Sequence, residues 1–198
     1  MFCFATGNTA RIRKLNGGLI VPVIRDAQEL SVERFTREIR LAAALQHAHI
    51  VPVFGAGATD DGLPFYLMPY VEGESLRGRL ADGQPLPVPD VVRVLRDVAR
   101  ALAYAHARGV VHRDVKPENV YVDEQSGRVV LSDFGAATLL QQDSRMTATG
   151  VVIGTPAYMS PEQLDAAAVD GRSDLYSLGL VGWEMATGQF PWGTVNLY

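Results

Sequence analysis

His112-Arg113-Asp114-Val115-Lys116-Pro117-Glu118-Asn119, followed by Asp133-Phe134-Gly135, is the one part of this chain where carboxylates and an amide stand in close order. Asp114, Asn119 and Asp133 offer oxygen donors. Two acids and an amide can hold a hard cation and still leave one carboxylate to take a proton. Lys116 adds a compact positive charge suited to a phosphate. Metal ligands, a carboxylate that orients a nucleophile, and a cation on the transferring group are the parts that phosphoryl transfer requires.

The same run closely resembles the catalytic loop and the metal-binding loop of eukaryotic-like protein kinases, H-R-D-x-K-x-x-N followed by D-F-G. A third motif follows in order. Gly154-Thr155-Pro156-Ala157-Tyr158-Met159-Ser160-Pro161-Glu162 resembles the G-T-x-x-Y-M-(A/S)-P-E that closes the activation segment of kinases acting on protein serine and threonine. Thr155 and Lys116 both point away from tyrosine kinases. Small-molecule phosphotransferases share the Asp and Asn sites but lack this segment.

The resemblance, whose flavour is that of bacterial serine/threonine kinases, implies an α+β, two-lobed protein-kinase-like fold. It implies one partial kinase domain over 1–198, with a small lobe at 11–68, a hinge at 69–73 and a partial large lobe at 74–198. Its cofactors would be ATP and Mg²⁺. Asp114 would orient the substrate hydroxyl or accept its proton, and Lys116 would steady the γ-phosphate. Asn119 and Asp133 would hold Mg²⁺. Arg113 beside the catalytic aspartate suggests a phosphate-binding switch, with Thr147 or Thr149 as the phosphosite and Thr155 in the same regulatory segment. His112 is read as packing against Phe134. Glu162 would be structural, meeting an arginine from a later helix. Asp174, in Arg172-Ser173-Asp174, would hold the catalytic loop from below.

Composition sets the outer limits. The chain has 198 residues, 47% hydrophobic and 20% charged, which is ordinary for a globular protein. A net charge of −4 argues against a nucleic-acid surface. Cys3 is the one cysteine, so no intrachain disulfide is expected and a reducing, cytoplasmic setting fits. No apolar run reaches membrane-spanning length. The expected partner is a protein presenting serine or threonine.

Taken in order, Leu19-Ile20-Val21-Pro22-Val23-Ile24 reads as a buried strand after the turn Asn16-Gly17-Gly18. Aligned with the family, Leu19-Ile20-Val21-Pro22 falls on V-A-I-K, whose lysine holds the ATP phosphates, so Pro22 takes the lysine position. Of the glycines expected near Phe2 to Gly7, only Gly7 is present. The chain has two lysines, Lys14 and Lys116, so a relocated lysine would have to be Lys14. A charge-assisted bond is worth roughly 1.5–3 kcal/mol, and its loss predicts impaired activity.

Residues 31–45 read as a helix capped by Ser31, with Phe35, Ile39 and Ala42 on one face. By resemblance Glu38 takes the place of the helix glutamate that pairs with the strand lysine at the ATP phosphates; the alternative is a solvated pair with Arg34. His47-Ala48-His49-Ile50-Val51 is similar to the family's H-P-H-I-V link, which favours turn and packing roles for both histidines over metal binding. Strands are expected at 51–57 and 63–70. Met68-Pro69-Tyr70-Val71 resembles the hinge that binds adenine, with Met68 guarding the pocket, Tyr70 in the hinge and Tyr121 beneath the base.

Ser75 is expected to cap a short helix to about Leu80. Val91, Val94, Leu95, Val98, Leu102 and Ala105 predict a long amphipathic helix ended by Gly109, with His106 an ordinary last-turn residue. A hairpin is expected at 120–131. The 174–187 helix is apolar on most faces, Leu175 and Trp183 included, and is read as buried, with Gly188 as its stop.

Three functions stay open: a serine/threonine kinase, a pseudokinase binding module, and a kinase fragment cut at both ends with no stable product. Pro22 and the missing glycines motivate the second. The incomplete Gly-rich region and the missing late large-lobe helices motivate the third.

Overall fold

Two small antiparallel sheets and two long helices carry the chain. The computed structural model describes residues 13–15, 19–21, 39, 41–58, 64–134, 156–165 and 167–192. Pro22, Glu38, Thr147, Thr149, Thr155 and Gly7 lie outside the described residues, as does most of the helix expected at 31–45. Residues 39 and 41–43 of that helix are helical, with Ile39 and Ala42 buried.

The first sheet holds β1 (Arg13–Leu15), β2 (Leu19–Val21), β3 (Gly55–Ala58) and β4 (Pro64–Pro69) in the order β1-β2-β4-β3. Ile20 pairs with Met68 and Ala56 with Tyr66, so β4 is laddered on both sides. The second sheet holds β5 (Gly73–Ser75), β6 (Val120–Asp123) and β7 (Val129–Leu131), in that order.

The strand expected at 51–57 starts later, at Gly55. The amide of Val51 donates to Leu131 O at 2.9 Å, and the amide of Leu131 donates to His49 O at 2.9 Å. The backbone at 49–51 is therefore spent on β7 of the other sheet and joins β4 only from Phe54 onward, whose amide donates to Leu67 O at 2.7 Å. The two histidines serve this crossing. His47 Nδ1 accepts the His49 amide at 3.2 Å, and His49 Nδ1 lies 2.8 Å from Val129 O.

Helix α1 (Leu76–Arg79) is capped by Ser75, whose hydroxyl accepts the Gly78 amide at 3.2 Å. Helix α2 (Val88–His106) starts between two prolines, where missing amides cost no helix bond. Its buried Val91, Val94, Val98, Ala101, Leu102 and Ala105 form one stripe. Helix α3 (Pro161–Leu164) is short. Helix α4 (Gly171–Thr187) begins on Asp170 and ends at Gly188, which has φ +69°. A Cβ on Gly188 would fall 2.1 Å from Gly83 O, so only glycine closes this corner.

α4 lies against α2 through Gly182, where a Cβ would sit 3.1 Å from Leu95. Leu178, Val181 and Met185 are buried, whereas Leu175 and Trp183 are each 53% exposed. This corrects the reading of α4 as buried all round: its packing partners among the described residues cover one side. Among the described residues no helix is long and apolar enough to cross a membrane.

The fully buried Leu102 should lose about 2–5 kcal/mol on substitution by alanine. Leu175→Ala should stay within about 0.5 kcal/mol. Urea unfolding of the two variants checks the difference.

Candidate active site

Asp174 is where the site is fixed. Its carboxylate, in the first turn of α4, has no exposed surface. Oδ1 accepts the Arg113 amide at 2.7 Å. Oδ2 accepts the His112 amide at 2.8 Å and the His106 imidazole Nε2 at 2.7 Å. His106 is thus more than the last-turn residue expected from sequence. Gly171 makes room for it, since a Cβ there would lie 2.6 Å from His106 Nδ1.

These bonds hold a strained backbone. Arg113 has φ +67° and Asp133 φ +65°, the left-handed region that side chains rarely occupy. Each such residue costs roughly 1–3 kcal/mol unless its surroundings impose it. His112 links the two strained points. Its Nδ1 accepts the Asp114 amide at 3.2 Å, so Nε2 carries the proton and donates to Ser132 O at 2.7 Å. Its ring meets Phe134 edge-on at 4.5 Å, the packing that the sequence suggests.

Asp114, Lys116 and Asn119 come together. Lys116 Nζ is 2.7 Å from Asp114 Oδ2. Asn119 Nδ2 donates to the same oxygen at 3.0 Å and to Asp114 O at 2.8 Å. With its nitrogen committed, the Asn119 amide oxygen is the atom left for a cation. Asp133 follows β7 and is joined to this group through Ser132, whose amide donates to Asn119 O at 2.9 Å. Burial pushes the Asp133 carboxyl above its ordinary pKa, while a hydrogen bond donated by Tyr66 to Oδ1 opposes the shift. The same burial, reinforced by Asp133, holds the Tyr66 phenol well above its ordinary value.

A second polar cluster supports the loop from behind. Arg77 of α1 reaches Glu118 at 2.7 Å, Glu184 of α4 at 2.6 Å and the Tyr158 hydroxyl at 2.5 Å. Tyr158 donates to Glu184 in turn. Gln163 Nε2 donates to Arg113 O at 2.8 Å, tying α3 to the loop. Glu162 accepts the hydroxyl of Ser173, a bond that lowers its carboxyl pKa. Two buried atoms here have no hydrogen-bond partner among the described residues, Arg113 Nε and Glu118 Oε2.

The remaining sequence candidates sit as follows. Met68 is buried in β4, Tyr70 follows that strand, and Tyr121 lies in β6 between Ser75 and Val130. A cavity of about 410 Å³ is lined by His47, Ile50, Pro69, Tyr70, Arg128 and neighbours, and touches none of Asp114, Lys116, Asn119 or Asp133. Among the described residues no three His, Cys, Asp or Glu side chains form a metal cage. That suits Mg²⁺, which takes one or two carboxylates and completes its shell with water and substrate phosphate. The donor set of Asp133 and the Asn119 oxygen fits it.

Sequence reasoning missed Tyr66, His106 and Arg77. Only Tyr66 left a trace, since it shares a strand face with Met68 by its spacing of two.

The protein kinase domain matches residues 19–197 of the chain. The chain belongs to the protein kinase family. Its curated relatives in that family are serine/threonine-protein kinases. PknL of Mycobacterium bovis (strain ATCC BAA-935 / AF2122/97) is 42% identical over 195 residues, covering 94% of this chain and 48% of PknL. PknB of Mycobacterium leprae (strain TN) is 40% identical over 161 residues, 80% of this chain and 26% of PknB. The chain therefore spans between about a quarter and a half of the length of these kinases. The crystal structure of the Mycobacterium tuberculosis PknI kinase domain superimposes with a TM-score of 0.74 at 34% identity, covering 96% of this chain and 73% of that domain. The fold is that of a protein kinase.

Asp174→Asn should lower stability by roughly 1.5–3 kcal/mol, because an amide NH₂ would face donors that now meet an oxygen. Thermal unfolding against the parent chain measures it.

Proposed function

We propose that the chain catalyses ATP-dependent phosphoryl transfer to serine and threonine hydroxyls of proteins. The observation that carries this is the convergence of Lys116 Nζ (2.7 Å) and Asn119 Nδ2 (3.0 Å) on one oxygen of Asp114. That leaves Asp114 Oδ1 to orient the substrate hydroxyl and take its proton. Lys116, held 2.7 Å from Asp114, would steady the γ-phosphate. The Asn119 oxygen and Asp133 hold Mg²⁺. When bound, Mg²⁺ and ATP supply charge neutralisation and the transferred phosphoryl group. Met68, Tyr70 and Tyr121 bound the adenine, and Glu38 serves the phosphate side of the small lobe. The lobes divide at the hinge at 69–73. The single cysteine fits a reducing, cytoplasmic setting.

Arg113 is the regulatory cation in this reading. Its buried Nε lacks a hydrogen-bond partner among the described residues, which an anion would supply. A phosphate on Thr147 or Thr149 would supply it. Thr155 belongs to the same regulatory segment.

Pro22 favours a second reading, a binding module with a weakened phosphate grip. A thermal shift with ATP and Mg²⁺ separates weak nucleotide binding from none, and robust turnover would eliminate this reading.

With labelled ATP, Mg²⁺ and a generic protein substrate, the purified chain should incorporate phosphate. Asp114→Asn should cut the rate about 10²–10⁴-fold. Incorporation equal in the two proteins would sink the proposal.

A further inference from the structure

Tyr66 is 3% exposed and lies in β4, a strand paired on both sides. Its hydroxyl donates to Oδ1 of Asp133, 67 residues away in sequence and beyond the end of the second sheet. Among the described residues Asp133 has little else to fix its rotation. Its backbone is left-handed, and among the described residues its other oxygen meets Ser132 Oγ at 3.4 Å, the outer limit of a hydrogen bond. A phenylalanine would fill the Tyr66 site equally well, with Met68 and Ile39 buried in the same core. The hydroxyl is therefore the part of this side chain that packing does not require. A buried hydroxyl needs a partner, and the partner here is the carboxylate.

We propose that Tyr66 is a positioning residue for Asp133: its phenol ties the metal-holding carboxylate to the small-lobe sheet and sets the orientation in which Asp133 meets a divalent cation. The proposal rests on the reading of Asp133 as a Mg²⁺ ligand. Outer hydrogen bonds that orient a ligand are typically worth 10–100-fold in metal affinity. The bond also makes metal binding sensitive to how the two sheets are set, because its donor lies in the first sheet and its acceptor two residues past the end of the second.

The test is Mn²⁺ binding to the purified chain, followed by electron paramagnetic resonance with a non-hydrolysable ATP analogue present. Three proteins are compared: the parent chain, Tyr66→Phe and Asp133→Asn. The expected result is Mn²⁺ affinity about 10-fold or more weaker in Tyr66→Phe and absent in Asp133→Asn, with Tyr66→Phe melting as a folded protein. Tyr66→Met, which also lacks the hydroxyl, repeats the comparison in different packing should Tyr66→Phe not fold. In thermal unfolding, Tyr66→Phe should matter less once Asp133 is asparagine, and simple additivity would count against the bond. Mn²⁺ affinity in Tyr66→Phe equal to or tighter than the parent overturns the proposal. Equal binding by the parent and Asp133→Asn overturns the assignment of Asp133 as a ligand, and the positioning role falls with it. The unfolding comparison still reports whether the bond exists, so the two failures are told apart.

Discussion

The buried carboxylate of Asp174 is the constraint on which the rest of the site depends. Placing a charge with no exposed surface inside a protein carries a penalty of several kcal/mol. Three donors converge on it, and bonds to a charged group contribute roughly 1.5–3 kcal/mol each. The balance closes only while all three are in place, and two of them are backbone amides of the catalytic loop. α4 therefore cannot keep its own first turn without fixing His112 and Arg113. From there His112 passes the constraint to Ser132 and Phe134, and so to Asp133. Both left-handed residues of the site lie on this chain of contacts. The strain sits at two points on this chain of contacts, and the helix behind the loop supplies the restraint.

The short 3₁₀ turn Pro117–Asn119 separates support from chemistry. With three residues per turn, neighbouring side chains point in widely different directions. Glu118 faces Arg77 and joins the network of Glu184 and Tyr158. Asn119, the next residue, faces Asp114. Burial alone would discourage the Arg77 charge, but the bonds from Glu184 and Glu118 outweigh it and hold the guanidinium firmly protonated. α1, α4 and the segment at Tyr158 are thereby pinned to the back of the loop. The front keeps one lysine and two oxygen donors for a substrate.

Much of this was legible in the residues, and the reasons differ by element. The long helix at 88–106 and the cap at Ser75 follow from local rules of spacing and hydrogen bonding, and both appear as expected. The loop at 112–119 carries its chemistry in residue types at fixed intervals, so its identity could be read without a partner in view. Tyr66 and His106 could not be found that way. Each matters through one bond to a residue 67 or 68 positions away, and nothing nearby in sequence marks it. The exposure of Leu175 and Trp183 was misread for a related reason: a nearly uniform apolar helix says that it packs, but not on how many sides. The late start of β3 was settled by competition for the backbone of residues 49–51, a contest that a strand pattern does not record.

In the proposed reaction, with Pro22 at the position where the family resemblance expects a lysine, the change has a definite weight. Removing one charge-assisted contact to a phosphate removes roughly 1.5–3 kcal/mol, about ten- to a hundredfold in rate. Enzymes lower their barriers by about 8–23 kcal/mol in total. The proposed base, the proposed γ-phosphate lysine and the candidate metal ligands all belong to the 112–133 region, whose restraints among the described residues run through α2 and α4. Among the described residues the Tyr66 bond carries the sheet's influence to Asp133, and that bond does not involve residue 22. On this arithmetic the substitution slows the proposed transfer without silencing it. What it removes is grip on the phosphates, while the orientation of the hydroxyl and the seat of the cation stay with residues that this chain retains.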